Sequence, residues 1–256
     1  MKKILVLIML LITTIVIANE KERESIVSGH EDNYFLLHTT GNTAKGQISV
    51  KLAMFYPLNT GIYLAYTDTF WWDLVSDSKP FREHNYKPEL IYQFNSHDNI
   101  FNFYIPIVDE ITFSFFHKSN GLKGVDSRSI DWGLYGKVTY SFSRGNIKVG
   151  GFTYIQWYEK RQWENMDMKD YRPAYEQNIY VARLSSTGLE SEKLSYTLKP
   201  TWNFTKVNHQ LDIQIKLFTN IIQPYLYISW EHGYGIEGLI DYKLKENKFR
   251  IGITFK

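Results

Sequence analysis

From residue 33 onward, apolar and polar side chains alternate with a period of two rather than recurring at helical spacing. Ile48, Val50, Leu52, Met54 and Tyr56 share one parity, and Ser49, Lys51, Ala53 and Phe55 the other. Tyr86, Pro88, Leu90, Tyr92 and Phe94 alternate with Lys87, Glu89, Ile91, Gln93 and Asn95. The same pattern returns at Leu194 to Trp202, at Leu211 to Leu217, and in the final run, where Phe249, Ile251, Ile253 and Phe255 alternate with Arg250, Gly252 and Thr254. Only over residues 175–184 do both parities mix polar and apolar residues, so no face is assigned there.

Tight turns are expected at residues 59–61, 96–99, 144–146 and 187–188, and longer connections at 73–83, 120–128, 160–170 and 233–238. The runs number about twelve, an even count that returns both ends of the chain to one side, as single-chain outer-membrane barrels require. Lysines and acids recur on the second face, which suits a polar lumen whose charges pair with one another. A soluble sandwich with solvent on its charged face is the competing reading of the pattern. The expected fold is therefore all-β, a transmembrane antiparallel β-barrel of about twelve strands over residues 33–256.

The N-terminus refines that expectation. Lys2 and Lys3 precede an apolar run over residues 4–17, and Val16-Ile17-Ala18 offers a small-residue cleavage site. Residues 1–18 thus read as a signal peptide, too short for a spanning helix. Residues 19–32 are charged and aperiodic and read as a flexible or plugging segment. The chain has 29 basic and 27 acidic residues, so loss of Lys2 and Lys3 leaves it neutral and gives no argument for nucleic acid. It has no cysteine, so an exported chain of this size must rest on packing or on a closed sheet. Its 19 tyrosines, 16 phenylalanines and 7 tryptophans suit the aromatic girdles of a membrane barrel.

Candidate chemistry sits in the run 111–119. His117 and Ser119 share the parity of Ile111, Phe113 and Phe115, whereas Thr112, Ser114 and Lys118 lie on the other. A base and a hydroxyl two residues apart on a strand lie side by side, roughly 6.6 Å apart at Cα. Serine needs such a base, and a third polar group normally orients the histidine. Asp131, where the next strand begins, is placed to reach His117, although its parity turns it inward unless a bulge near Gly133 resets the alternation. Taken alone, a His-x-Ser pair is common by chance. Asp68 is the only charged residue on the apolar parity of the run 62–72. Such a carboxylate needs a partner, unless a register slip turns it into the lumen.

The surrounding residues add a resemblance. His117-Lys118-Ser119-Asn120-Gly121 followed by Ser127-Arg128-Ser129 is similar to the active-site signature of the outer-membrane phospholipase A family. Trp71-Trp72 with residues 78–86, and Gly233-Tyr234-Gly235 running into Leu239-Ile240-Asp241-Tyr242, resemble two further motifs of that family, in the same order. The resemblance implies a twelve-stranded outer-membrane barrel that hydrolyses phospholipid acyl esters with calcium, as a homodimer when active. It implies Ser119 as nucleophile, His117 as general base and the Gly121 amide as oxyanion donor. Asp131 stands where the family commonly has asparagine, and one extra residue separates it from Leu134. Also implied are Ca2+ ligands at Ser127, the Leu122 carbonyl and, from the second subunit, Ser78, with Asp68 at the dimer interface. A non-catalytic barrel, a porin or adhesin that kept the scaffold, is the alternative that Asp131 supports best.

Overall fold

The computed structural model describes residues 26–55, 60–77, 80–95, 107–123, 126–158, 170–218 and 223–255. The expected signal peptide and the turn at 96–99 lie outside the described residues. Thirteen strands follow one another among the described residues. The first five are β1 (Val27–Gly29), β2 (Asn33–His38), β3 (Thr43–Ala53), β4 (Ile62–Asp73) and β5 (Phe81–Asn95). Then come β6 (Val108–Ser119), β7 (Ser129–Arg144), β8 (Ile147–Tyr158) and β9 (Tyr175–Leu184). The last four are β10 (Glu190–Pro200), β11 (Val207–Lys216), β12 (Pro224–Tyr234) and β13 (Lys245–Phe255).

Each strand from β2 to β13 pairs antiparallel with the next, and β13 pairs with β2, which closes the sheet into a barrel. β1 and β2 both lie along the same edge of β3, so they are halves of one interrupted stave and the barrel has twelve staves. Gly29 faces Val50 and Tyr34 faces Gln47, so residues 30–33 must cross a gap spanned on β3 by Ile48 and Ser49 alone. The surplus is pushed into the lumen. There His30 Nε2 meets Glu89 at 3.1 Å, Glu31 meets Lys87 Nζ at 3.0 Å, and Asp32 accepts from Gln214 on the far wall at 3.1 Å. Residues 27–32 belong to the segment expected to be flexible or plugging, and they are tied down by strand pairing at 27–29 and by three lumenal contacts from residues 30–32.

Closure leaves the barrel without an open sheet edge, which makes such a sheet viable in lipid. Among the described residues no helix is long and apolar enough to cross a membrane; strands do the crossing. The barrel is inside-out relative to a soluble core. Leu64, Leu90, Phe113, Leu134, Ile179, Val181, Ile213 and Ile253 are exposed on the outer wall. Thr67, Glu89, Ser114, Asn178, Asp212, Ser229, Glu231 and Arg250 are buried in the lumen. Over 175–184, where the sequence assigned no face, Asn178, Tyr180 and Ala182 point inward and Ile179 and Val181 outward.

Buried charges are tolerable when paired or hydrogen-bonded: Asp212 accepts from Ser229 and Gln210, and the others form ion pairs. Glu231 receives both Arg250 and, at 2.8 Å, Lys45. Lys87 bridges Glu31 and Glu89 at 3.0 Å each. His30, Glu31 and Glu89 have the donor types of a metal site, but the Lys87 ammonium already lies between the two carboxylates.

The long connection expected at 233–238 lies after β12 and runs over residues 235–244. Residues 235–244 fold back into the barrel mouth, burying Ile236, Glu237, Leu239 and Tyr242. Arg250 holds Glu237, Arg82 holds Asp241 at 2.9 Å, and the Glu83 carboxylate accepts the N–H groups of Leu239 (2.7 Å) and Ile240 (3.1 Å). Leu239 and Tyr242 then pack on Phe116 and Tyr135, against the lumenal side of β6 and β7.

Candidate active site

His117 and Ser119 stand at the end of β6 nearest the long connections, both half-buried. Their parity is that of Phe113 and Phe115, which are 52% and 42% exposed, whereas Phe116 is 2% exposed inside. The Trp132 ring confirms the side. It stacks on Phe115 at 4.9 Å and meets the His117 ring edge-on at 6.2 Å, so the imidazole belongs to the outer aromatic belt.

The ladder between β6 and β7 is irregular at this point. Phe116 faces Gly133 while Lys118 faces Ile130, so His117 alone opposes positions 131 and 132. That is a β-bulge, and bulges re-aim side chains where a sheet ends beside a site. Glycine at 133 leaves room for the ring of Phe116, since a Cβ would stand 2.3 Å from its Cζ and something would have to shift. The side chain of Asp131 and the whole of Ser78 lie outside the described residues.

Ser119 faces Tyr86 on β5 and Ser129 on β7. Just beyond it Gly121 takes φ +67°, and a Cβ there would stand 2.8 Å from the Tyr86 ring. Glycine alone meets both demands, a left-handed backbone and a close approach. The loop is clamped by Asn120, which the motif contained but sequence reasoning gave no role. Its buried amide accepts from the N–H of Leu122 (3.3 Å) and of Arg128 (3.0 Å) and donates to the Asp126 carbonyl (2.8 Å). One side chain thus draws Leu122 and the residue after Ser127 together from opposite ends of the loop. Carbonyl and hydroxyl oxygens are hard ligands, so Leu122 and Ser127 fit the donor chemistry of calcium, and a set so poor in carboxylates fits weak binding.

Asp68 lies on the outer wall, and its register is unshifted. It faces Ile48 on one side and Tyr86 on the other. Its carboxylate is not left to find a partner only across an interface: Nδ1 of His84 lies 3.0 Å away in the same chain. Sequence reasoning missed His84, since only the hairpin register of β4 and β5 brings positions 68 and 84 together.

The profile of the family described as Phospholipase A1 matches residues 7–255. The chain belongs to the phospholipase A1 family. Phospholipase A1 of Escherichia coli K12 is 26% identical over 223 residues, covering 83% of this chain and 70% of that protein. The phospholipase A1 of Klebsiella pneumoniae is 27% identical over 223 residues, covering 83% and 71%. The solved outer membrane phospholipase A of Escherichia coli superposes with a TM-score of 0.70 at 21% identity, over 95% of this chain and 97% of that one. A Salmonella typhi outer membrane phospholipase, solved as a dimer with bound calcium, gives 0.69 at 20% identity, with coverage of 95% and 97%. Membership makes this barrel an enzyme of phospholipid hydrolysis, a phospholipase A1, and the likeness in fold holds over nearly all of both chains.

Proposed function

We propose that this outer-membrane phospholipase cleaves acyl esters with Ser119 as nucleophile and His117 as general base, in a calcium-dependent homodimer. The observation that carries the reading is the lipid side of the wall on which His117 and Ser119 stand, with a bulge opposite the histidine. A soluble hydrolase gains nothing from that face, whereas a lipid lying along Phe113 and Phe115 presents its ester there.

His117 removes the Ser119 proton as Oγ attacks the ester carbonyl carbon. The Gly121 amide donates to the oxygen on which charge develops. His117 then returns the proton to the leaving alcohol, releasing lysophospholipid, and activates the water that frees the fatty acid from Ser119. Asp131 orients the imidazole in the role a carboxylate serves in such triads. Ca2+ held by Ser127 and the Leu122 carbonyl, with Ser78 from a second subunit, would add positive charge beside the oxyanion. Asp68, on the outer wall, belongs to the face where the subunits meet.

Fatty-acid release from phospholipid in detergent tests the whole reading. Wild type should release it with calcium and lose activity with chelator, and Ser119→Ala should be inactive in both. Crosslinked dimer should exceed strictly monomeric protein; equal specific activity would remove the dimer from the proposal. A porin reading is opposed by the paired charges and the inturned loop that occupy the described lumen.

A further inference from the structure

A carboxylate on a lipid-facing wall is costly to leave without a partner, and such groups mark function by default. Asp68 is such a group, and its surroundings are specific. His84 holds it at 3.0 Å and is itself packed between rings: Phe81 at 4.9 Å, Tyr86 stacked within 9° at 5.6 Å, and Phe70 at 5.9 Å. Trp72 stacks on Phe81, and Tyr66 is exposed beside Asp68 on the same wall. A carboxylate among aromatic faces is the chemistry that recognises an organic ammonium, by charge and by cation–π attraction.

The charge balance admits one sign of ligand only. With the imidazole neutral the pair carries one net negative charge, and with it protonated none; in neither state does it attract an anion. The position is also apt. Asp68 faces Tyr86, and Tyr86 faces Ser119, so carboxylate and hydroxyl stand at one level two staves apart, on the order of 10 Å. His84 lies two residues nearer the barrel rim than Tyr86, toward the polar head-group layer. A glycerophospholipid whose ester is at Ser119 can lay its head group across Tyr86 to reach the pair.

We propose that Asp68 and His84, with the rings of Phe81 and Tyr86, form a head-group subsite that selects phospholipids bearing an ammonium group. The inference rests on Ser119 as the nucleophile and concerns the same groove in which an interface role for Asp68 lies.

The test compares phosphatidylethanolamine, phosphatidylcholine and phosphatidylglycerol of identical acyl chains in mixed micelles with calcium. Wild type should favour the two ammonium lipids over phosphatidylglycerol by about tenfold in kcat/KM. Asp68→Asn should bring that ratio to within about twofold, whatever its absolute rate. Tyr86→Leu should lower the quaternary lipid more than the primary one, because the methylated head group relies on the rings. A ratio that stays unchanged in Asp68→Asn overturns the proposal, since loss of dimer alone lowers all three rates together. Tryptophan quenching by brominated phosphatidylethanolamine against brominated phosphatidylglycerol, in Ser119→Ala with and without Asp68→Asn, reads the subsite without turnover. Selective quenching that needs Asp68 supports the subsite even where the nucleophile assignment fails, and equal quenching by both lipids overturns it.

Discussion

The ring of Phe116 lies across Gly133, with its Cζ 2.3 Å from where a Cβ would be. This contact joins the two sides of the wall. Phe116 packs inward against Leu239 and Tyr242, and the bulge that begins at Gly133 faces His117 on the outside. Gly133→Ala must displace Phe116 or straighten the ladder. We expect a stability loss of about 1–3 kcal/mol and a fall in kcat that exceeds any rise in KM. Unfolding in urea and steady-state kinetics on one lipid check both.

By the resemblance of its motif, Asp131 is expected at the position where the family commonly has asparagine. If the position orients His117, an amide serves as well as a carboxylate, so Asp131→Asn should retain activity within about tenfold. Asp131→Ala should lose at least about a hundredfold, while Ser119→Ala loses on the order of ten-thousandfold or more. Equal rates for Asp131→Ala and wild type would remove this residue from the triad.

Asn120 makes its loop bonds with a single buried amide. Asn120→Ala leaves the N–H groups of Leu122 and Arg128 without that acceptor, at about 1–3 kcal/mol. The calcium concentration for half-maximal activity should rise about tenfold, with much of the rate recovered at saturating calcium. Calcium titration of fatty-acid release measures it; a proportionate loss at every calcium concentration would show that the clamp does not serve the cation.

Lys87 is the ammonium shared by Glu31 and Glu89 inside the barrel, where His30 also meets Glu89. Lys87→Met leaves Glu31 without its partner and Glu89 with His30 and Ser114 alone, and should cost about 3–5 kcal/mol. The triple change with Glu31→Gln and Glu89→Gln should recover most of that loss, because no unpaired charge remains. The temperature at which the folded barrel loses its electrophoretic mobility shift reports both.

Much of this architecture was legible along the chain. Alternation at Leu211 to Leu217 and at Phe249 to Phe255 named the outer face because a closed sheet in lipid leaves no freedom about which parity is apolar. The His117–Ser119 pair and the anomaly of Asp68 were visible for the same reason, since parity is a local property. The site's supports were not. Asp68 finds His84, Glu83 grips Leu239, and His30 reaches Glu89 only once registers across several staves are set.

The amino-acid sequence by itself therefore determined the barrel, its lipid face and the residues that carry the candidate chemistry, because a period of two needs only neighbouring positions to be read. Tertiary structure alone decided that the first stave is broken, that residues 235–244 turn into the mouth, and that His117 opposes a bulge. Those features depend on how a surplus of residues is absorbed between staves, and on which buried charge meets which. Both are settled by closure of the whole sheet rather than by any one strand.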